Sequence, residues 1–195
     1  MSRSFTRIAV YCGSSNNISE RYRESARAVA RALVARDIEI VFGGGSVGLM
    51  GVIADAGLAA GGRLIGVIPE KLQQLELGHP GVQTLHVVDG MHTRKKLMSD
   101  LADGFIALPG GWGTMEELFE VLTWTQLNYF VKPVGLLNVD GFYDPLLGWA
   151  DRAAADGFIR PMHRGLLRAA TDPEALIDDL ATCDIPMLDR WIERR

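Results

Sequence analysis

Gly104-Phe105-Ile106-Ala107-Leu108-Pro109-Gly110-Gly111-Trp112-Gly113-Thr114-Met115-Glu116-Glu117 runs from an apolar segment into a glycine-rich turn and out into a helix-forming stretch. Phe105 to Leu108 shows no apolar–polar alternation. A strand of that kind is buried on both faces, so it belongs to a parallel sheet with helices on each side. The same order repeats outward from it. Ile8 to Tyr11 reads as a strand ending in Cys12-Gly13-Ser14-Ser15, and Ser19 opens a helix to about Arg36 with Tyr22, Ala26, Val29, Ala30 and Leu33 at helical spacing. Ile38 to Phe42 is a strand, Gly48 to Ala60 a helix of small residues, and Arg63 to Ile68 a third strand. Glu70 to Gly81 reads as irregular and Val82 to Val88 as a strand. Met91 to Leu101 reads as a helix, Thr114 to Asn128 as another, and Pro133 to Val139 as a strand. Pro145 to Ala155, Pro173 to Ala181 and a short closing piece from Met187 to Arg195 complete the helices. The expected fold is α/β: a Rossmann-like doubly wound parallel sheet with helices on both faces. It is read as a single nucleotide-binding domain over residues 1–195, since no linker, repeat or low-complexity stretch interrupts the pattern.

Composition narrows the function. Hydrophobic residues are 48%, charged residues 23% and the formal net charge is -4, values of an ordinary globular chain without a general pull on nucleic acid or anionic membranes. A bound phosphate must therefore be held locally. The two cysteines, Cys12 and Cys183, have neither disulfide-framework nor zinc spacing, which fits a reducing cytosol. The apolar run near the start is about five residues, short of a signal sequence, and nothing approaches the roughly 20 apolar residues of a membrane span. A cytoplasmic location is expected. Walker, metalloprotease and serine-hydrolase motifs are missing, so no metal and no cofactor are expected.

Ligands on doubly wound sheets bind beyond the carboxyl ends of the strands, where three glycine-rich turns fall: 12–15, with Ser14; 43–48, with Gly44; and 109–113. In the last, glycines allow close approach and the following helix offers unpaired N–H groups and a partial positive charge, together a phosphate site. The same residues also read as a plain turn with a capping box, Thr114 at the N-cap and Glu117 three residues on. Met91-His92-Thr93-Arg94-Lys95-Lys96 places cations on a helix. Arg94 and Lys95 point in different directions and so do different work, although a solvated basic face is the plain alternative. Gly43-Gly44-Gly45-Ser46-Val47-Gly48 matches G-x-G-x-x-G, and Glu70 follows 22 residues after Gly48. A dinucleotide loop, a loop over sugar or phosphate, and a structural turn all remain open there. Glu70 and Glu76 are candidate site acids or solvated loop acids. Met91, Met98, Trp112, Trp124 and Leu127 are candidate apolar walls.

These motifs resemble those of a known family. Pro109-Gly110-Gly111-x-Gly113-Thr114-x-x-Glu117 is similar to the PGGxGTxxE signature of the LOG (Lonely Guy) proteins, and Met91-His92-x-Arg94-Lys95 to their second motif. The likeness spans nearly the whole chain, from Ile8-Ala9-Val10-Tyr11-Cys12-Gly13-Ser14-Ser15 through Lys132-Pro133-Val134-Gly135-Leu136-Leu137-Asn138. It implies a Rossmann-like homodimer that hydrolyses cytokinin riboside 5′-monophosphates to free-base cytokinins. It implies Arg94 and Glu117 as the catalytic pair. Substrate contacts fall on Arg94, Lys95, Gly110, Gly111, Trp112, Gly113, Thr114, Met115, Glu116, Thr123 and a glutamate, Glu70 or Glu76, ahead of the second motif. Proteins of this type have carried a lysine decarboxylase label, which no lysine here supports. Two further readings stay open: a non-catalytic nucleotide or cofactor carrier on the same fold, and a general AMP or purine monophosphate hydrolase. A homodimer is expected also because Leu118, Phe119, Leu122 and Trp124 exceed what one buried helix face requires.

Overall fold

The computed structural model of the chain describes residues 3–75 and 77–187. In chain order its elements are β1 (Arg7–Tyr11), α1 (Glu20–Ala35), β2 (Glu39–Phe42), α2 (Gly48–Ala59), β3 (Leu64–Pro69), the short α3 (Glu70–Gln73), β4 (Thr84–Val88), α4 (Met91–Leu101), β5 (Gly104–Ala107), α5 (Trp112–Gln126), β6 (Val134–Leu137), a 3-10 turn (Val139–Gly141), α6 (Asp144–Ala155), the short α7 (Pro161–Arg164), β7 (Leu167–Ala170) and α8 (Pro173–Thr182). The seven strands form one sheet in the order β4-β3-β2-β1-β5-β6-β7, every neighbouring pair parallel.

The uninterrupted apolar runs have the expected cause. In β1, Ile8 and Val10 enter one core with α1, α2 and α8, through residues such as Val29, Leu33, Ile53 and Leu176. Ala9 and Tyr11 enter the other, with Met98 of α4, Leu118 and Val121 of α5 and Ala150 of α6. Alternate residues thus face opposite helical layers, and both faces of the strand must be apolar.

The chain lays β1 to β4 in one direction, then returns to place β5 on the other flank of β1. The order reverses between β1 and β5, and beyond their carboxyl ends the two diverging connections leave a crevice. Main-chain bonds fix its floor: Leu108 N–H donates to the Tyr11 carbonyl at 2.8 Å, and Gly13 N–H to the Pro109 carbonyl at 3.1 Å.

Three details depart from the sequence reading. Glu70–Gln73 forms a turn of helix in the segment read as irregular, and β7 and α7 were not foreseen. β7 adds its row of backbone groups to β6 although Arg168 interrupts its apolar character; the guanidinium is neutralised by Asp179 of α8, with bonds of 2.7 and 2.6 Å. The closing helix expected over 187–195 lies outside the described residues from 188 onward.

The opposite end of the β1–β5 pair is pinned by one carboxylate. Asp103 Oδ2 accepts from the N–H groups of Thr6 (2.7 Å) and Arg7 (2.8 Å), while Asp103 N–H donates to the Arg7 carbonyl at 2.8 Å. Asp103→Ala leaves two main-chain donors without this partner. It is expected to cost about 1–3 kcal/mol in urea denaturation; a loss below about 0.5 kcal/mol would show that water replaces the carboxylate without penalty.

Candidate active site

The crevice at the strand-order reversal opens beyond the carboxyl ends of β1 and β5, walled by three turns and by α4 and α5. β1 and its turn supply Tyr11, Cys12, Gly13 and Ser14; the turn after β2 supplies Gly43; α4 supplies Met91, Arg94 and Met98; α5 and the turn before it supply Gly111, Trp112, Gly113, Thr114 and Glu117. A second hollow adjoins it across Gly13, Ser14 and Gly111. Gly110 lies in its wall, with apolar sides from Ile18, Tyr22, Leu49 and Phe142.

The N-cap of α5 lies three residues earlier than the capping-box reading placed it. Gly111 stands at the N-cap in an extended conformation without a side-chain cap, so Thr114 is the third residue of the helix and Glu117 lies in its second turn. Thr114 is turned inward, buried beneath Gly110, where a Cβ on Gly110 would come within 2.1 Å of its Oγ1. Glycine at 110 makes that packing possible. The first main-chain bond of the helix runs from Met115 N–H to the Gly111 carbonyl at 3.1 Å. The N–H groups ahead of it belong to residues that line the crevice, and they carry the positive end of the helix.

Arg94 is buried and held by main chain rather than by a carboxylate. Its Nε donates to the Val67 carbonyl at 3.0 Å and its Nη2 to the Gly43 carbonyl at 3.1 Å. Its Nη1 is 3.7 Å from Glu117 Oε1. The first glycine of the 43–48 turn is what admits it: a Cβ at residue 43 would lie 2.0 Å from Nη2. Two N–H groups of this turn, and that of Leu49 just after it, bond to protein. Leu49 N–H donates to the Gly13 carbonyl, Ser46 N–H to the Leu77 carbonyl and Gly48 N–H to Asn16 Oδ1. A pyrophosphate loop would aim such donors at a ligand. These bonds favour the structural-turn reading of the G-x-G-x-x-G match, and Gly43 at its start seats Arg94.

Glu117 is buried beside Arg94, and burial raises its carboxyl to about 7 against the opposing pull of Arg94. The same burial, with Glu117 close by, raises the Tyr11 hydroxyl and the Cys12 thiol. Lys95, next to Arg94 but a hundred degrees around the helix, leaves the crevice and reaches α5, where its Nζ donates to Glu116 and, at 3.0 Å, to Glu120. Burial works against the lysine's charge, yet these two carboxylates outweigh it and its pKa is raised. Of the three cations read as a possible solvated face, only Lys96 is one, paired with Asp100.

The structure thus brings Ser14, Arg94, Gly111, Trp112, Gly113, Thr114 and Glu117 into one crevice, with Gly110 at its edge. Lys95, Met115, Glu116 and Gly44 lie outside its lining, as do Glu70, exposed on α3, and Thr123, exposed on α5. Thr123 instead borders a separate hollow between α5 and α6. Glu76 lies outside the described residues. Among the apolar candidates Met91, Met98 and Trp112 line the crevice; Trp124 and Leu127 do not. Val10, Tyr11 and Met50 were not singled out, and Cys12 and Gly43 were read only as parts of glycine-rich turns at strand ends, not as residues of the site. Their only signal was position at the ends of adjacent strands, or, for Met50, just after a glycine turn.

The chain is similar in sequence to curated relatives, two of which are as follows. One is the cytokinin riboside 5′-monophosphate phosphoribohydrolase LOG of Oryza sativa subsp. japonica, 48% identical over 89% of this chain and 72% of its own length. Another, the cytokinin riboside 5′-monophosphate phosphoribohydrolase LOG7 of Arabidopsis thaliana, is 47% identical over 90% and 81%. The chain belongs to the LOG family. A family model described as "Possible lysine decarboxylase" matches residues 50–180. No lysine lines the crevice, so a pyridoxal phosphate, which needs one for its Schiff base, finds no fit among these residues. Among solved structures, the molybdenum cofactor carrier protein of Chlamydomonas reinhardtii superposes with a TM-score of 0.67, covering 89% of this chain and 94% of its own. At 20% identity it shares the fold alone. Among the described residues no helix is long and apolar enough to cross a membrane, and no group of three or more His, Cys, Asp or Glu could hold a metal.

The raised Glu117 carboxyl has a consequence for stability. The folded protein holds this proton more tightly than the unfolded chain, so the contribution favours folding at low pH. It is lost as pH rises from the ordinary value of 4.5 through about 7. Glu117→Gln removes the ionisation. Relative to wild type, the variant should gain about 3 kcal/mol between roughly pH 4.5 and pH 8.5 in chemical denaturation. A difference that stays constant with pH would mean that Glu117 titrates as a solvated carboxyl.

Proposed function

We propose that this protein hydrolyses the N-glycosidic bond of cytokinin riboside 5′-monophosphates, releasing the free base and ribose 5-phosphate and so activating cytokinins. AMP is a further substrate. The observation that carries this reading is a buried carboxylate and a main-chain-anchored arginine facing each other at the mouth of an unpaired helix N-terminus. The named activity of relatives nearly half identical in sequence supports the same chemistry.

In this proposal the 5′-phosphate rests on the N–H groups from Gly111 to Thr114, and this remote binding orients the sugar. The bond to the base breaks through an oxocarbenium-like state, by analogy with glycoside hydrolysis. The base departs with the electron pair of its bond to C1′. Glu117, as carboxylate, stabilises the positive ribose and takes a proton from the water that attacks C1′, and the departing base gains a proton, from solvent or from Glu117 in its turn; a carboxyl near 7 is well matched to such transfers at neutral pH. Arg94 presents its Nη1 edge to the phosphate or ribose. The apolar hollow of Ile18, Tyr22, Leu49 and Phe142, next to this polar crevice, suits a base that bears an apolar substituent.

The proposal includes a single nucleotide-binding domain that works as a homodimer in the cytoplasm. Its two free cysteines fit a reducing compartment. The outer side of α5 and α6 supports the dimer. Leu118 and Val121 fill the core, whereas Phe119, Leu127 and Trp149 remain exposed, with Phe119 and Trp149 packed edge to face at 5.7 Å.

A chromatographic assay of purified protein with N6-isopentenyl-AMP, AMP and isopentenyladenosine tests the function. Free base is expected from the two monophosphates and not from the nucleoside, with the prenylated nucleotide turned over faster. Base released equally from the nucleoside would overturn the phosphate-dependent reading. Folded protein that binds nucleotide and releases none would favour a carrier.

A further inference from the structure

Arg94 and Lys95 are neighbours on α4, and each meets α5 at a different place. Arg94 lines the crevice opposite Glu117; Lys95 does not line it. The Lys95 side chain is 5% exposed, and its Nζ is bound by Glu116 and Glu120, one turn apart on α5. Glu117 sits between those two acids in sequence and a third of a turn from Glu116. The cluster of one ammonium and two carboxylates is net anionic and would repel a phosphate rather than attract it.

We infer that Lys95 is a positioning residue: its ammonium clamps Glu116 and Glu120 to α4 and so sets the place and the charge environment of Glu117 opposite Arg94. This deepens the proposed hydrolase function and rests on it. The clamp has a mechanical and an electrostatic part. Mechanically, it joins the α4 turn that carries Arg94 to the first turns of α5, so the two reacting side chains move as one unit. Electrostatically, the groups that face Glu117 are Arg94 and Lys95 of α4, Glu116 and Glu120 of its own helix, and Tyr11 and Cys12 of β1 and its turn. Glu116 and Glu120 favour the protonated carboxyl, and Lys95 opposes them. With Lys95 in place the two acids act weakly on Glu117; without it they act in full. Glu116, more than half exposed, and Glu120 thereby acquire a role that their solvent-facing positions conceal.

The test titrates the glutamate carboxyl carbons of the free protein by 13C NMR, with the Glu117 signal identified by its loss in Glu117→Gln. Lys95→Met should raise the Glu117 midpoint by roughly half a pH unit or more, because two negative charges lose their partner. Glu116→Gln with Glu120→Gln, in a protein that keeps Lys95, should lower it. This second variant keeps the inference falsifiable if Lys95→Met folds poorly. In turnover of N6-isopentenyl-AMP near neutral pH, Lys95→Met should lose about three- to tenfold in kcat, with KM changed less than about twofold. Midpoints unmoved in both variants, or a Lys95→Met protein whose KM rises tenfold at constant kcat, would overturn the clamp in favour of direct substrate contact. The titration is read without substrate. Wild-type protein that releases no base therefore contradicts the function, whereas unmoved midpoints contradict the clamp.

Discussion

Two main-chain carbonyls hold the arginine on which the crevice depends. Val67 lies in β3 and Gly43 directly after β2, and each turns its oxygen to the Arg94 guanidinium. Carbonyls carry no full charge. They fix the guanidinium without cancelling its positive charge, which stays available to Glu117 and to a ligand. A carboxylate in their place would have fixed the arginine equally well and neutralised it. The cost of burying the cation is met by these bonds and by the nearby acid, and it is met only because residue 43 has no side chain.

Burial has the opposite consequence for the acid. Glu117 lies in the second turn of α5, pressed against β1, where desolvation outweighs the attraction of Arg94. A carboxyl that titrates near neutrality can hold or release a proton in the working range, as acid–base chemistry requires. The sheet order explains why these groups meet. β1 and β5 are adjacent at the reversal, so the turn after each strand, α4 beside them and the start of α5 converge on one point. The molybdenum cofactor carrier of Chlamydomonas reinhardtii has a similar fold, and the fold alone does not select hydrolysis from carriage. In the proposed mechanism the placement of Arg94 and Glu117 makes that selection.

β1, β2, β3, β5 and β6 were legible because they are short apolar runs, and burial on both faces leaves little else for them to form. β7 escaped because Arg168 sits in its middle and finds its partner, Asp179, only in three dimensions. α5 was recognised, but its start was misplaced. Thr114 satisfies the capping-box spacing, yet packing under Gly110 draws it inside, and the helix begins on glycine instead. Arg94 and Glu117 were visible as motif residues. That Lys95 turns away from the crevice could be expected from helix geometry, but its partners could not. A pair of acids four residues apart is common on any solvated helix. The turns holding Cys12 and Gly43 were visible as glycine-rich strand ends; that they meet Tyr11 in one crevice is set by strand order, which no local pattern encodes.

In the proposed mechanism Glu117 performs the chemistry while the α5 N-terminus holds the phosphate. This is tested most directly by measuring nucleotide affinity and turnover together in Glu117→Gln. AMP binding within a few-fold of wild type by calorimetry is expected, with a kcat lower by on the order of 10²-fold or more. Full turnover, or a loss of binding that accounts for the whole loss of rate, would contradict it.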